Sequence, residues 1–198
     1  MPVQNKIRHH PIHKHFRLYD QKNHIPESKF LNTQRFNSFD DYLKSLEINF
    51  EIKGVIIISK DPYSWLISYK NWGEKHNWPI VKHHYIEEYN FFYEKWMNFS
   101  QEDQRILHIR YSDLLLNTHP TLNKISEKLE LQNKFSRKLF GELNKLQKVR
   151  ESEKFTTQKF KYYKNKKYMD SYSKESLKTI NSLINKSLIK KLGYEIIN

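Results

Sequence analysis

The residues best suited to chemistry stand together at Lys60-Asp61-Pro62. Lys60 follows Val55–Ile58, a continuous run of β-branched residues, and Asp61 and Pro62 are of the types that cap and open a helix. A cation beside a helix N-terminus, with its unsatisfied backbone N–H groups, is suited to holding an anion. A second group is His9, His10, His13 and His15. They invite a metal reading, but no carboxylate cluster lies beside them and they lack the i, i+4 pairing of a helical zinc site, so no metal is assigned. A third group is the lysine-rich stretch 134–168, with Tyr162, Tyr163 and Tyr168 interleaved. Basic residues among aromatics can bind nucleic acid. A solvated face is the commoner explanation and is favoured over nucleic acid.

These groups need elements to position them. Val55–Ile58 suits a central strand of a parallel sheet, buried on both faces. Trp65, Tyr69 and Trp72 then share one face of a following helix, with a loop from Gly73 to Lys82. Before the strand, Ser38 with Asp41 at N3 opens a helix whose apolar face is Phe39, Leu43, Leu46 and Phe50. After it, Tyr85, Tyr89, Phe92, Trp96 and Phe99 recur at helical spacing and read as core rather than as a base-stacking platform. Arg105–Tyr111 alternates as a second strand, and His119-Pro120 opens a helix with Leu122, Ile125 and Leu129 inward. Ser173 caps a last helix carrying Leu177, Ile180, Ile184 and Leu188, which Gly193 stops. Near the start, Ile12 to Leu18 alternates as a strand with His13, His15 and Arg17 on one face and Lys14 on the other.

The 198 residues are enough for a single domain spanning 1–198. There is no cysteine, which excludes disulfides and thiolate metal sites. The net charge of +13 predicts attraction to anionic small molecules or polyanions. No signal peptide or spanning segment is read, so a cytoplasmic setting is expected.

The segment IIISKDPYSWLISY resembles the second nucleotide-binding segment of the sulfotransferases that use 3'-phosphoadenosine 5'-phosphosulfate (PAPS). Those enzymes have an apolar strand, Arg-Asp-Pro, and a helix with a serine two turns in. The resemblance places the 3'-phosphate on Lys60 and Ser68, with lysine supplying the charge of the usual arginine but not its bidentate fork. The bland alternative is any strand, turn and helix of an α/β domain, with Ser68 merely solvated. Tyr111-Ser112-Asp113-Leu114 resembles the family's Tyr-Glu-Asp-Leu after a later strand, with Ser112 in place of the glutamate. The ending Lys-Leu-Gly-Tyr after an amphipathic helix is similar as well. Lys14-His15 resembles the family's Lys-x-His, in which the histidine acts as base toward the acceptor hydroxyl. The lysine and histidine are adjacent here, His13 competes with His15, and a plain basic surface strand is equally open.

The resemblance implies a three-layer α/β/α fold with a small, mainly parallel sheet. It implies transfer of a sulfuryl group from PAPS to a hydroxyl or amine of a small-molecule or glycan acceptor. His15 and Lys14 would be catalytic, Lys60 and Ser68 would bind the nucleotide, and no metal would be required. The family's first strand and Gly/Ser/Thr-rich loop, which cradles the 5'-phosphosulfate, have no counterpart before Gly54. Losing three or four charge-assisted hydrogen bonds would remove on the order of 5–10 kcal/mol. The expectation is therefore an N-terminally incomplete or inactive relative, with a sheet flank exposed to self-association. The alternative is a non-enzymatic basic module for nucleic acid or another polyanion.

Overall fold

The computed structural model describes residues 38–45, 52, 54–75, 84–130 and 156–197. The sheet among them has two parallel strands, β1 (Val55–Ser59) and β2 (Ile106–Arg110), with Val55 opposite Ile106 and Ser59 opposite Arg110. Helices α2 (Pro62–Lys75) and α3 (His84–Glu102) make the crossover between them. The described residues are otherwise mostly helical, which is compatible with the general α/β class.

Local chemistry starts several of these elements. Ser38 caps α1 (Phe39–Ser45), its Oγ accepting from the Asp41 N–H at 3.1 Å. Asp61 caps α2, its carboxylate accepting from the Ser64 N–H at 3.2 Å, and Pro62 is the first helical residue. The expected loop at Gly73 is corrected: α2 runs through Gly73 to Lys75. One glycine costs only about 1 kcal/mol in a helix, less than the aromatic face of α2 gains by packing. Trp65 and Tyr69 stack at 4.8 Å on that face.

Each face of the sheet has its own core. On one side Ile57 and Ile106 meet the apolar faces of α2 and α3, including Leu66, Tyr89, Trp96 and Phe99. The aromatic periodicity of α3 is thus core, each fully buried large side chain contributing about 1.5–3 kcal/mol. On the other side Leu107 and Ile109 pack on Ile125, with Leu114, Leu122 and Leu129 around them. Those residues come from α4 (Tyr111–Leu116) and α5 (Thr118–Lys128) and the turn that ends α5.

The expectation that Val55–Ile58 is buried on both faces does not hold. Ile56 and Ile58 are 36% and 48% exposed. Among the described residues β1 has one neighbouring strand, and the α4–α5 layer lies against β2 rather than over β1. The alternation between buried Ile57 and exposed Ile56 and Ile58 is that of a strand with one covered face.

The remaining described residues form α6 (Thr157–Lys164), a 3₁₀ turn (Lys167–Ser171), α7 (Lys174–Leu183) and α8 (Lys186–Lys191). The single final helix expected after Ser173 is two. The chain leaves helical geometry at Ile184, and Asn185 recaps it, its side chain accepting from the Leu188 N–H at 3.1 Å. Ile184 and Leu188 stay buried across the break. Gly193 ends α8 at φ +75°, with Tyr194 N–H bonded to the Ile189 carbonyl and Gly193 N–H to that of Lys190. That paired pattern closes a helix end and requires the left-handed residue that glycine supplies. No helix among the described residues is long and apolar enough to cross a membrane.

Candidate anion site at the strand ends

Each parallel strand ends at a basic residue, Lys60 after β1 and Arg110 closing β2. Arg110 is committed. Its Nε and Nη2 donate to the two carboxylate oxygens of Asp113 at 2.8 and 2.9 Å, and its Nη1 donates to the Gly193 carbonyl at 2.7 Å. A bidentate fork of this kind fixes both partners and neutralises the charge. It also explains Asp113 of the Tyr-Ser-Asp-Leu motif, which anchors the strand end to the C-terminal segment.

Lys60 is arranged differently. Its Nζ donates to Ser68 Oγ at 2.6 Å, and Ser68 Oγ donates to the Ser64 carbonyl at 3.1 Å. The ammonium also lies 5.6 Å from the centre of the Tyr111 ring and 5.3 Å from that of Tyr163. Those two rings meet edge to face at 5.2 Å. Their π faces attract the cation without neutralising it. Among the described residues no carboxylate pairs with Lys60. The adjacent Asp61 is turned into the first turn of α2 and toward Tyr168, and burial raises its pKa above the usual carboxylate value. Burial, and then the neighbouring Tyr163, pushes the Tyr111 hydroxyl up to about 12, so it stays a neutral donor near pH 7.

Behind Lys60 lies a buried polar chain. Ser59, fully buried, places its Oγ 2.7 Å from His108 Nε2 and 3.1 Å from the Tyr194 hydroxyl, which donates to the Ser59 carbonyl at 2.9 Å. One proton assignment satisfies every group: His108 Nε2–H to Ser59 Oγ, Ser59 O–H to Tyr194, and Tyr194 O–H to the Ser59 carbonyl. Burial and the nearby charges of Lys124 and Arg110 push the His108 pKa down to about 4, so the imidazole is neutral near pH 7. A serine paired to a histidine is the geometry of an activated nucleophile. Ser59 is 0% exposed, however, so the chain is an internal brace rather than a reaction centre.

Of the residues singled out in the sequence, Lys60 and Ser68 are brought into contact. Lys14, His13 and His15 lie outside the described residues, as do the other N-terminal histidines. Among the described residues no three His, Asp or Glu side chains gather in a way that could hold a metal ion. Sequence reasoning missed Tyr163. Its signal was the interleaving of tyrosine with lysine, but the helix phase that turns Tyr163 inward and leaves Lys161 and Lys164 exposed was not read. It also missed the Ser59–His108–Tyr194 chain, which joins residues distant in sequence. Comparison with known proteins adds no relative: no family model, no curated protein and no solved structure matches the chain.

Proposed function

We propose that this protein binds an adenine nucleotide through its 3'-phosphate and is a PAPS-dependent sulfotransferase or a relative of one. The observation that carries the reading is the meeting of Lys60 Nζ and Ser68 Oγ beside the first turns of α2, at the carboxyl ends of two parallel strands. The carboxyl ends of parallel strands are where open α/β sheets bind ligands. The donor set fits a phosphate: the ammonium has three N–H donors, of which Ser68 takes one, and charge-assisted bonds contribute about 1.5–3 kcal/mol each. The surrounding tyrosines hold the ammonium near aromatic surface without cancelling its charge.

In this reading PAPS supplies an activated sulfuryl group with adenosine 3',5'-bisphosphate as its leaving group. Lys60 and Ser68 orient the nucleotide by its far phosphate. In an active enzyme His15 would accept the proton of the acceptor hydroxyl or amine as the new O–S or N–S bond forms and the bond to the bridging phosphate oxygen breaks. Lys14 steadies the negative charge developing on that oxygen. The acceptor is a small molecule or a glycan.

Calorimetric titration with adenosine 3',5'-bisphosphate, beside adenosine 5'-phosphate, tests the reading. The expected result is binding that requires the 3'-phosphate and is lost in Lys60→Ala. A wild-type chain with no preference for the 3'-phosphate overturns it.

A second reading, a basic module for an anionic polymer, draws on the exposed lysines of α6 and the following turn, Lys161, Lys164, Lys166 and Lys167. Polymer binding would weaken steeply with salt and be indifferent to Lys60→Ala.

A further inference from the structure

The turn that carries Lys60 is held by tyrosines. Three consecutive carbonyls, of Ile58, Ser59 and Lys60, accept hydrogen bonds from the hydroxyls of Tyr93 at 3.2 Å, Tyr194 at 2.9 Å and Tyr89 at 2.7 Å. Tyr89 and Tyr93 are one turn apart on α3, and Tyr194 comes from the segment after α8. Tyr89 and Tyr93 are 1% and 5% exposed, with ring centres 4.6 Å apart, and Trp65 packs edge-on against Tyr89 at 5.3 Å. Aromatic side chains this tightly packed have two torsions each and little freedom in either.

We propose that Tyr89, Tyr93 and Tyr194 are positioning residues of the anion site, fixing the Lys60 backbone so that its ammonium and Ser68 converge on one phosphate. The inference rests on the reading that Lys60 and Ser68 hold a 3'-phosphate. A buried tyrosine hydroxyl needs an acceptor somewhere, so one such bond would mean little. Three bonds on three successive carbonyls at the strand end are a different matter. Ile58 and Ser59 are the last residues of the ladder and Lys60 is the first beyond it, so the three bonds span the point where the chain leaves the sheet for α2. Lysine has four side-chain torsions, so an anchored Cα is what converts its reach into a defined position.

The test compares two isosteric variants of the full chain. Tyr89→Phe removes the hydroxyl on Lys60. Tyr172→Phe removes the hydroxyl of a half-buried tyrosine that likewise donates to one backbone carbonyl, that of Tyr63 at 2.6 Å, beyond the braced turn. The readout is the ratio of affinities for adenosine 3',5'-bisphosphate and adenosine 5'-phosphate, with thermal melting in parallel. Both variants lose similar stability. Tyr89→Phe loses about fivefold of the 3'-phosphate preference, the size of one neutral hydrogen bond, while adenosine 5'-phosphate binding is unchanged. Tyr172→Phe keeps the ratio. If Tyr89→Phe keeps it too, or Tyr172→Phe loses as much, the tyrosines only support the fold and the proposal fails. If Tyr89→Phe does not fold, Tyr194→Phe is judged by the same ratio through the Ser59 carbonyl. A wild-type chain with no 3'-phosphate preference, or one that Lys60→Ala leaves intact, removes the underlying reading and this inference with it. Failure of the ratio test in a chain that passes those two controls removes the inference alone.

Discussion

The two strand ends place a basic residue side by side and use it in opposite ways. Arg110 has both forks of its guanidinium on Asp113 and its remaining edge on the Gly193 carbonyl. Lys60 has a serine hydroxyl and two ring faces. A cation already neutralised cannot attract a ligand without first breaking a charge-assisted pair. A cation held only by neutral groups keeps most of its field. The difference separates a structural clamp from a candidate binding residue at the same edge of one sheet, and it does so without reference to any relative.

Arg110→Ala is the strongest way to break that contrast. It leaves half-buried Asp113 without its partner and turns the exposed Gly193 carbonyl over to water. The expected cost is about 1–2 kcal/mol. For a chain of this size that is a fall of roughly 3–6 °C in melting temperature. Lys60→Ala should do the reverse. Stability should change by about 1 kcal/mol or less, because its partners are a serine hydroxyl and two ring faces and no buried charge is left behind. Affinity for adenosine 3',5'-bisphosphate should fall about 30-fold, or about 2 kcal/mol. If Lys60→Ala lowers the melting temperature as much as Arg110→Ala, both cations are clamps and the contrast is lost.

Acidification sharpens the comparison through His108, which sits behind both cations. Its folded pKa of about 4 lies below the ordinary 6.5, because burial and the charges of Lys124 and Arg110 disfavour the imidazolium. The unfolded chain therefore takes up the proton first. The contribution to stability is complete above pH 6.5 and is lost as pH falls from there toward 4. The loss amounts to about 2 kcal/mol, less than the full shift would give, because the ring is partly exposed and screened. Melting curves between pH 7 and 4.5 check this. His108→Gln should flatten the part of the profile that belongs to this ring, and an unchanged profile would locate the acid sensitivity elsewhere.

Gly193→Ala acts on the Arg110 side alone. Gly193 has φ +75°, and a Cβ there would stand 3.3 Å from Arg110 Nη1. Strain at a left-handed position and crowding of the clamp should together cost about 1–2 kcal/mol, measured by denaturant unfolding, with nucleotide affinity little changed.

What was legible in the sequence follows from the range of the interactions involved. The caps at Ser38, Asp61, Ser173 and the stop at Gly193 are satisfied within a few residues, so residue type alone exposes them. Both strands were readable for the same reason, β1 as a short β-branched run and β2 as a short alternating one. Whether β1 is covered on one face or two depends on neighbours supplied by distant chain, and Ile56 and Ile58 have the same composition in either case. The break at Ile184–Asn185 was hidden because the apolar periodicity continues across it. At the site, Lys60 and Ser68 could be paired from a motif because they lie only eight positions apart in the chain. Tyr163 and Tyr194 reach Lys60 and Ser59 only through the packing of α6 and the C-terminal segment, which no local pattern encodes.

Ser68 decides how much of the Lys60 side of the comparison is charge and how much is geometry. Its hydroxyl accepts from Lys60 and donates to the Ser64 carbonyl, so it holds the ammonium against α2. Removing it frees a flexible side chain but leaves the charge in place. If the site needs only a cation, Ser68→Ala will bind adenosine 3',5'-bisphosphate as the wild type does. If the ammonium must be held and the hydroxyl turns its one proton from the Ser64 carbonyl to the phosphate, affinity should fall about fivefold, the value of one neutral hydrogen bond of about 1 kcal/mol. Ser68→Thr, which keeps the hydroxyl and can still bond back to the preceding turn of the helix, should then recover most of the loss. Stability should barely move in either variant, because Ser68 is exposed and α2 is anchored by Tyr63, Leu66 and Trp65. Calorimetry on the three chains separates the outcomes. Equal affinity in all of them would reduce Ser68 to a solvated helix residue and leave Lys60 as a point charge beside two tyrosine rings.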